Sequence, residues 1–399
     1  MADVRPFRAL RPADALAGRV IAPPYDVLTL DECHALAADP LSFVHVTRSE
    51  VDLPPGADAH SDAAYQAARV ALDALRRDGA LRLDDAETYY LYGQRMGDHR
   101  QVGFLGAASV AEYDDGRIKR HELTRPDKED DRTHHMEVLD AQVGLVFLAF
   151  RATDALRALS DTITAAPPAW RVVTEDGVEH ALWAAPPDQV APIREAFAAL
   201  PALYVADGHH RSAAASRVHT RRGDAASATF LAGMFPDDHL QVLAYNRVVD
   251  DLNGHDAASF LAAVGARFVV TEGAPVPVRR GTFSMYLAGR WYSLEARPGV
   301  VADDPVARLD VSVLQDHLLA PILGVDDPRR STRIQFVGGI RGPDALVRAV
   351  DAGAAVAFHL YPTGLDQLFD VADAGEIMPP KSTWFEPKLR EGVVVRLLG

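Results

Sequence analysis

Leu203-Tyr-Val-Ala-Asp-Gly-His-His-Arg-Ser-Ala-Ala-Ala-Ser216 passes from an apolar run, through Asp207-Gly208-His209-His210-Arg211, into an alanine-rich stretch. A short apolar run bounded by turn residues reads as a buried strand, and the alanine-rich continuation reads as a helix. Gly208 lets a ligand approach the backbone, and the order of residues predicts strand, tight turn and helix start. On either side, alternating and continuous apolar runs are divided by Gly, Asp and Pro. Strands are therefore expected to intersperse with helices in an α+β chain of mixed sheets. Thr88–Gly93 and Val102–Val110 flank a Gly-Asp turn, as an antiparallel hairpin would. Helical spacing is clearest at Ala63–Arg77, Ser212–Arg222, Val306–Ile322 and Pro343–Ala352.

A chain of 399 residues exceeds one ordinary core, and two α+β lobes are expected, 1–260 with the Asp207 turn and 261–399. The last segment of the second lobe is expected to return to the site. With 48% hydrophobic and 24% charged residues the composition is globular. A lone cysteine, Cys33, excludes an intrachain disulfide. The first residues lack the apolar stretch of a signal peptide. The longest apolar run, Val143–Phe150, is far short of the roughly 20 residues of a membrane-spanning helix. A soluble cytoplasmic protein without a membrane partner is the expectation. An excess of 56 acidic over 41 basic residues, a net charge of -15, argues against a nucleic-acid partner. Monomer and homodimer both stay open.

Four segments concentrate polar groups. In the first, unpaired N–H groups at a helix start, Gly208 and the Arg211 guanidinium suit a phosphate, and Asp207 suits a magnesium ion beside it; the alternative is that Asp207 caps the helix. His209, His210 and Ser212 complete this candidate phosphate site. The second, Ile118–Glu137, holds both charge signs and three histidines, and Pro126 is expected to interrupt any helix in it. His121-Glu122 lacks the second histidine of His-Glu-x-x-His, since position 125 is Arg, and clustered cysteines for structural zinc are absent. A carboxylate such as Glu122 can ligate magnesium with substrate phosphate, or act as general base. The third, Ile21-Ala-Pro-Pro-Tyr-Asp-Val27, presents Tyr25 and Asp26 from a stiffened backbone, although two prolines also make a structural corner. The fourth, Met378-Pro-Pro-Lys-Ser-Thr-Trp-Phe-Glu-Pro-Lys388, offers Lys381, Ser382, Thr383 and Lys388 to an anion.

The combination of Ala22-Pro-Pro-Tyr-Asp-Val27, His121-Glu122 with Thr124, Ala206-Asp-Gly-His-His-Arg211 and Met378-Pro-Pro-Lys-Ser-Thr383 resembles the bacterial and archaeal domain of unknown function 1015. The Asp-Gly-His-His-Arg stretch is also similar to the phosphate box of the ParB/sulfiredoxin-like superfamily, in the form found in free-serine kinases. That resemblance implies a ParB/sulfiredoxin-like core elaborated by a second lobe. It also implies phosphoryl transfer from ATP or ADP to the hydroxyl of free L-serine, with Asp207 to Arg211 cradling phosphates and Glu122 as base.

Both lines lead to a magnesium- and nucleotide-dependent kinase of a small hydroxylated metabolite, L-serine first. His121, Arg125, Lys128 and Arg132 are expected to hold substrate or neutralise phosphate. Two alternatives stay open. One is a ParB-like nucleotide-binding switch; the other is a metal-dependent hydrolase with His121, Glu122, His134, His135 and Asp140 as ligands.

Overall fold

Gly97-Asp98 closes the hairpin between strands Tyr90–Met96 and His99–Ser109, with Tyr90 opposite Leu105 and Met96 opposite His99. Gly97 has φ 59°, the left-handed backbone that a two-residue hairpin turn demands. The computed structural model describes residues 2–399. The chain forms two units, Met1–Leu240 with Pro387–Gly399, and Gln241–Glu386. The division falls at 240 and not at 260 because strand Tyr245–Val249 pairs with Ile334–Gly338 and Val356–Leu360 inside the second unit.

The first unit carries a nine-stranded mixed sheet. Across it the strands run Ile118–Lys119, Leu203–Asp207, Val146–Phe150, Thr229–Pro236, His99–Ser109, Tyr90–Met96, Glu179–Ala184 and Trp170–Val173, and Val4–Arg5 also pairs with His99–Ser109. Leu148, Phe150, Val205 and Phe230 of the sheet meet Ile193, Phe197, Ala214 and Val218 of helices Pro187–Ala198 and His209–Arg222 in one cluster. Phe197 takes Phe104 and Phe150 edge to face at 5.5 and 5.7 Å. Each such side chain removed from water stabilises the unit by about 1.5–3 kcal/mol. The run Ala213–Ala215 lets its helix lie close against the sheet. Segment 387–399 is tied in through paired backbone bonds between Leu10 and Val395 and between Ala22 and Glu391.

Pro126 begins a helix instead of interrupting one: Pro126–Leu139 is continuous. At the first helical position the ring's fixed φ is already suitable, and the missing N–H would have had no helical partner.

In the second unit six antiparallel strands form a sheet, including the hairpin Thr282–Leu287 and Arg290–Ala296. The helix expected from Val306 starts at Asp310. Asp304 Oδ1 accepts the N–H groups of Val306 and Ala307 at 2.9 and 2.8 Å, which caps a single turn, and the backbone is extended at Leu309 before the helix begins. Among the described residues no helix is long and apolar enough to cross a membrane.

Candidate functional site

Strand Leu203–Asp207 pairs Tyr204 with Ala149 and Val205 with Leu148, then shifts register so that Asp207 stands opposite Phe147. Such an irregularity re-aims a side chain at a strand end. Gly208 follows with φ 90° and is the N-cap of helix His209–Arg222; no side-chain oxygen caps that helix. Asp207 is therefore not the cap. Its Oδ1 accepts the Gly208 N–H at 2.7 Å and its Oδ2 accepts Lys388 Nζ at 2.9 Å. Burial alone would raise the Asp207 carboxyl, but Lys388 and Arg211 outweigh it and hold it well below the usual carboxylate range.

Strand Ile118–Lys119 lies parallel to the strand of Asp207, Ile118 beside Leu203 and Lys119 beside Tyr204, so both chains leave the sheet at one edge. There the rings of His121 and His209 meet edge to face with centroids 4.6 Å apart. Both are buried, and burial pulls His121 down to about 4 and His209 well below the ordinary imidazole value. His209 Nδ1 lies 4.0 Å from Glu122 Oε2, on a side chain that is 45% exposed. Thus Glu122 stands at the solvent side of two neutral imidazoles.

A cavity of about 30 Å³, room for one water, is lined by Tyr25, Arg132, His135, Gly144, Arg211 and Glu391 among others. Arg132 lies 4.3 Å over the Tyr25 ring and donates Nε and Nη2 to Asp131 Oδ2 at 2.9 and 2.7 Å. Arg211 donates to the Leu145 carbonyl. Burial pushes Glu391 up to about 7 against the opposing pull of Arg211 and the Thr47 hydroxyl, and its Oε2 has no hydrogen-bond partner.

Several expected residues are engaged elsewhere. The Ser212 hydroxyl donates to the His209 carbonyl at 3.0 Å inside the helix. Thr124 Oγ1 donates to Glu129, and the exposed Arg125 guanidinium pairs with Asp127 at 2.7 Å while its N–H donates to His210 Nε2 at 3.1 Å. Lys128 lies in the first turn of Pro126–Leu139 and Asp26 is exposed. Lys381, Ser382 and Thr383 belong to the second unit. There the Ser382 hydroxyl donates to Pro379 O at 2.6 Å and Lys381 lies 5.5 Å from the Tyr245 ring centroid. The hydrolase ligand set does not assemble: His134 lies by Asp62, His135 bonds Val46 O at 2.9 Å, and Asp140 pairs with Arg222. Glu391 escaped the sequence reading, although Arg390-Glu391 before Gly-Val-Val-Val is a charged pair abutting an apolar run.

Magnesium prefers oxygen ligands and keeps several waters. The expected pair, Asp207 and Glu122, does not fit one such ion. Asp207 carries the Lys388 ammonium, and the ligand atoms gathered around Glu122 are imidazole nitrogens.

Residues 4–312, more than half of the chain, match the family described as "Protein of unknown function (DUF1015)", and the chain belongs to it. No curated protein matches. Among solved structures the chain is similar to a free serine kinase in complex with AMP, at 11% identity over 71% of this chain and 86% of that one, with a TM-score of 0.34. It is similar to SbnI with C-terminal truncation from Staphylococcus aureus at 11% identity over 73% and 87%, TM-score 0.42. A conserved hypothetical protein from Pyrococcus furiosus matches at 12% identity over 74% and 95%, TM-score 0.35.

Proposed function

We propose that this DUF1015 member is a nucleotide-dependent small-molecule kinase that phosphorylates a hydroxyl, with free L-serine the first acceptor to test. The observation that carries the reading is the turn at Gly208. It leads a strand directly into a fourteen-residue helix, so the first-turn N–H groups lie next to a carboxylate already neutralised by Lys388, and Arg211 belongs to that same turn. This concentration of donors in a chain of net charge -15 suits phosphate oxygens.

In this reading the acceptor oxygen attacks the terminal phosphorus, the bond from phosphorus to the leaving nucleotide breaks, and Glu122 takes the hydroxyl proton. Arg211 neutralises charge on the phosphates while Lys388 balances Asp207, and Arg132 and Tyr25 shape the adjoining wall. Magnesium belongs to the nucleotide's phosphates, whose oxygens suit it.

Purified protein incubated with ATP or ADP, magnesium and L-serine is expected to yield O-phosphoserine. Asp207→Ala and Arg211→Ala should abolish turnover with the fold intact, and Glu122→Gln should keep nucleotide binding and lose turnover. Tight nucleotide binding with no product from serine or a panel of hydroxylated metabolites would replace the kinase by a nucleotide-binding switch.

A further inference from the structure

We infer that His121, Glu122 and His209 form a site for a divalent transition-metal ion, with zinc as the reference case. The inference stands on local geometry and does not rest on the phosphotransfer reading.

One ligand atom from each of the three residues lies within 4.8 Å of the other two, and among the described residues no other such cluster is found. The imidazoles are 2% and 4% exposed, and His121 Nδ1 and His209 Nε2 have no hydrogen-bond partner. Leaving a buried polar atom unpaired costs about 1–3 kcal/mol. The orphaned His121 Nδ1 is poor packing unless something binds it, and the His209 nitrogen that faces Glu122 is Nδ1, 4.0 Å from Oε2. The His121 ring has a backbone hydrogen bond to Val205. Because Nδ1 is the unpartnered nitrogen, that bond employs Nε2–H and leaves the Nδ1 lone pair available. A second-shell carbonyl orients metal-binding histidines in this way.

The donor set identifies the ion class. Two imidazole nitrogens and one carboxylate suit zinc, cobalt, iron or nickel far better than magnesium or calcium, which prefer oxygen. Three protein ligands leave a coordination position open to water or a ligand, as in catalytic zinc sites. The observed spacing is wider than that in a loaded site, and closing it falls to Glu122, whose side chain is 45% exposed while the rings are packed. An ion held here occupies the Glu122 carboxylate, so metal loading and proton removal by Glu122 exclude each other.

The test uses the full chain, stripped with chelator and titrated with zinc by calorimetry and with cobalt by visible absorption. Expected are one equivalent of zinc, cobalt ligand-field bands of a nitrogen- and oxygen-ligated ion, and no displacement by excess magnesium. Glu122→Gln, an exposed change that leaves the fold intact, should weaken zinc by more than about tenfold, the loss that even outer-shell changes cause. His209→Gln should change the cobalt spectrum. Absence of stoichiometric zinc binding, or parent-like affinity in both variants, overturns the inference. Chelator-stripped protein that rebinds zinc but makes no phosphoserine while metal-free retains this site and loses the kinase reading; stripped protein that makes phosphoserine and binds no zinc does the reverse.

Discussion

Lys388 Nζ lies 2.9 Å from Asp207 Oδ2, joining residues 181 positions apart. The C-terminal segment thus supplies the cation that balances the carboxylate at the strand end, and the turn at Gly208 is complete only when residues 387–399 pack on the rest of the first unit.

Lys388→Met should lower stability at neutral pH by about 1.5–3 kcal/mol, the worth of a hydrogen bond to a charged group. Asp207 titrates below its unfolded value of 3.8, so its contribution is present above that value and is lost as pH falls through the lower folded one. The gap between parent and variant should therefore shrink in acid, measured by urea unfolding at neutral pH and near about pH 3. A gap that stays constant would assign the effect to the lysine's methylenes.

Gly208→Ala should cost about 1–2 kcal/mol by forcing a β-carbon into the left-handed region. A β-carbon there would stand 3.4 Å from Val146 Cα, an ordinary contact, so backbone strain at φ 90° is the cause. Thermal unfolding measures the loss; an unchanged midpoint would show that the turn relaxes.

Glu391 is raised from 4.5 to about 7 by burial, so the folded chain holds this proton more tightly than the unfolded one. Its contribution is full below about pH 4.5 and falls as pH rises to 7, by at most about 3 kcal/mol. Glu391→Gln should remove that decline and be the more stable protein near about pH 8. Parallel curves for parent and variant would show that Glu391 ionises normally.

Arg132→Lys should not be silent, because a lysine cannot both stack on Tyr25 and donate twice to Asp131. A loss of about 1–2 kcal/mol is expected, with the stacking share isolated by a cycle with Tyr25→Leu. Additive effects in that cycle would remove the Tyr25 contact from the account.

Much of this was legible along the chain because it depends on neighbours in sequence. The hairpin at Gly97-Asp98 and the strand-turn-helix around Gly208 follow from period, glycine placement and alanine content, all of them local properties. Pro126 was misread because proline forbids a helix interior and favours a helix start, and only the surrounding structure tells which position it holds. The Val306 helix was overextended because apolar spacing does not reveal that the backbone is extended at Leu309, so that Asp304 caps only one turn.

The site divides in the same way. By itself the sequence determined that Asp207 to Arg211 form a polar turn between a buried strand and an alanine-rich helix. Tertiary structure alone decided the partners: Lys388 on Asp207, Arg132 on Tyr25, His121 against His209, and Glu391 in the cavity. Backbone angles and periodicity act over a few residues, whereas burial and charge pairing depend on which distant segments the sheet order brings to one edge.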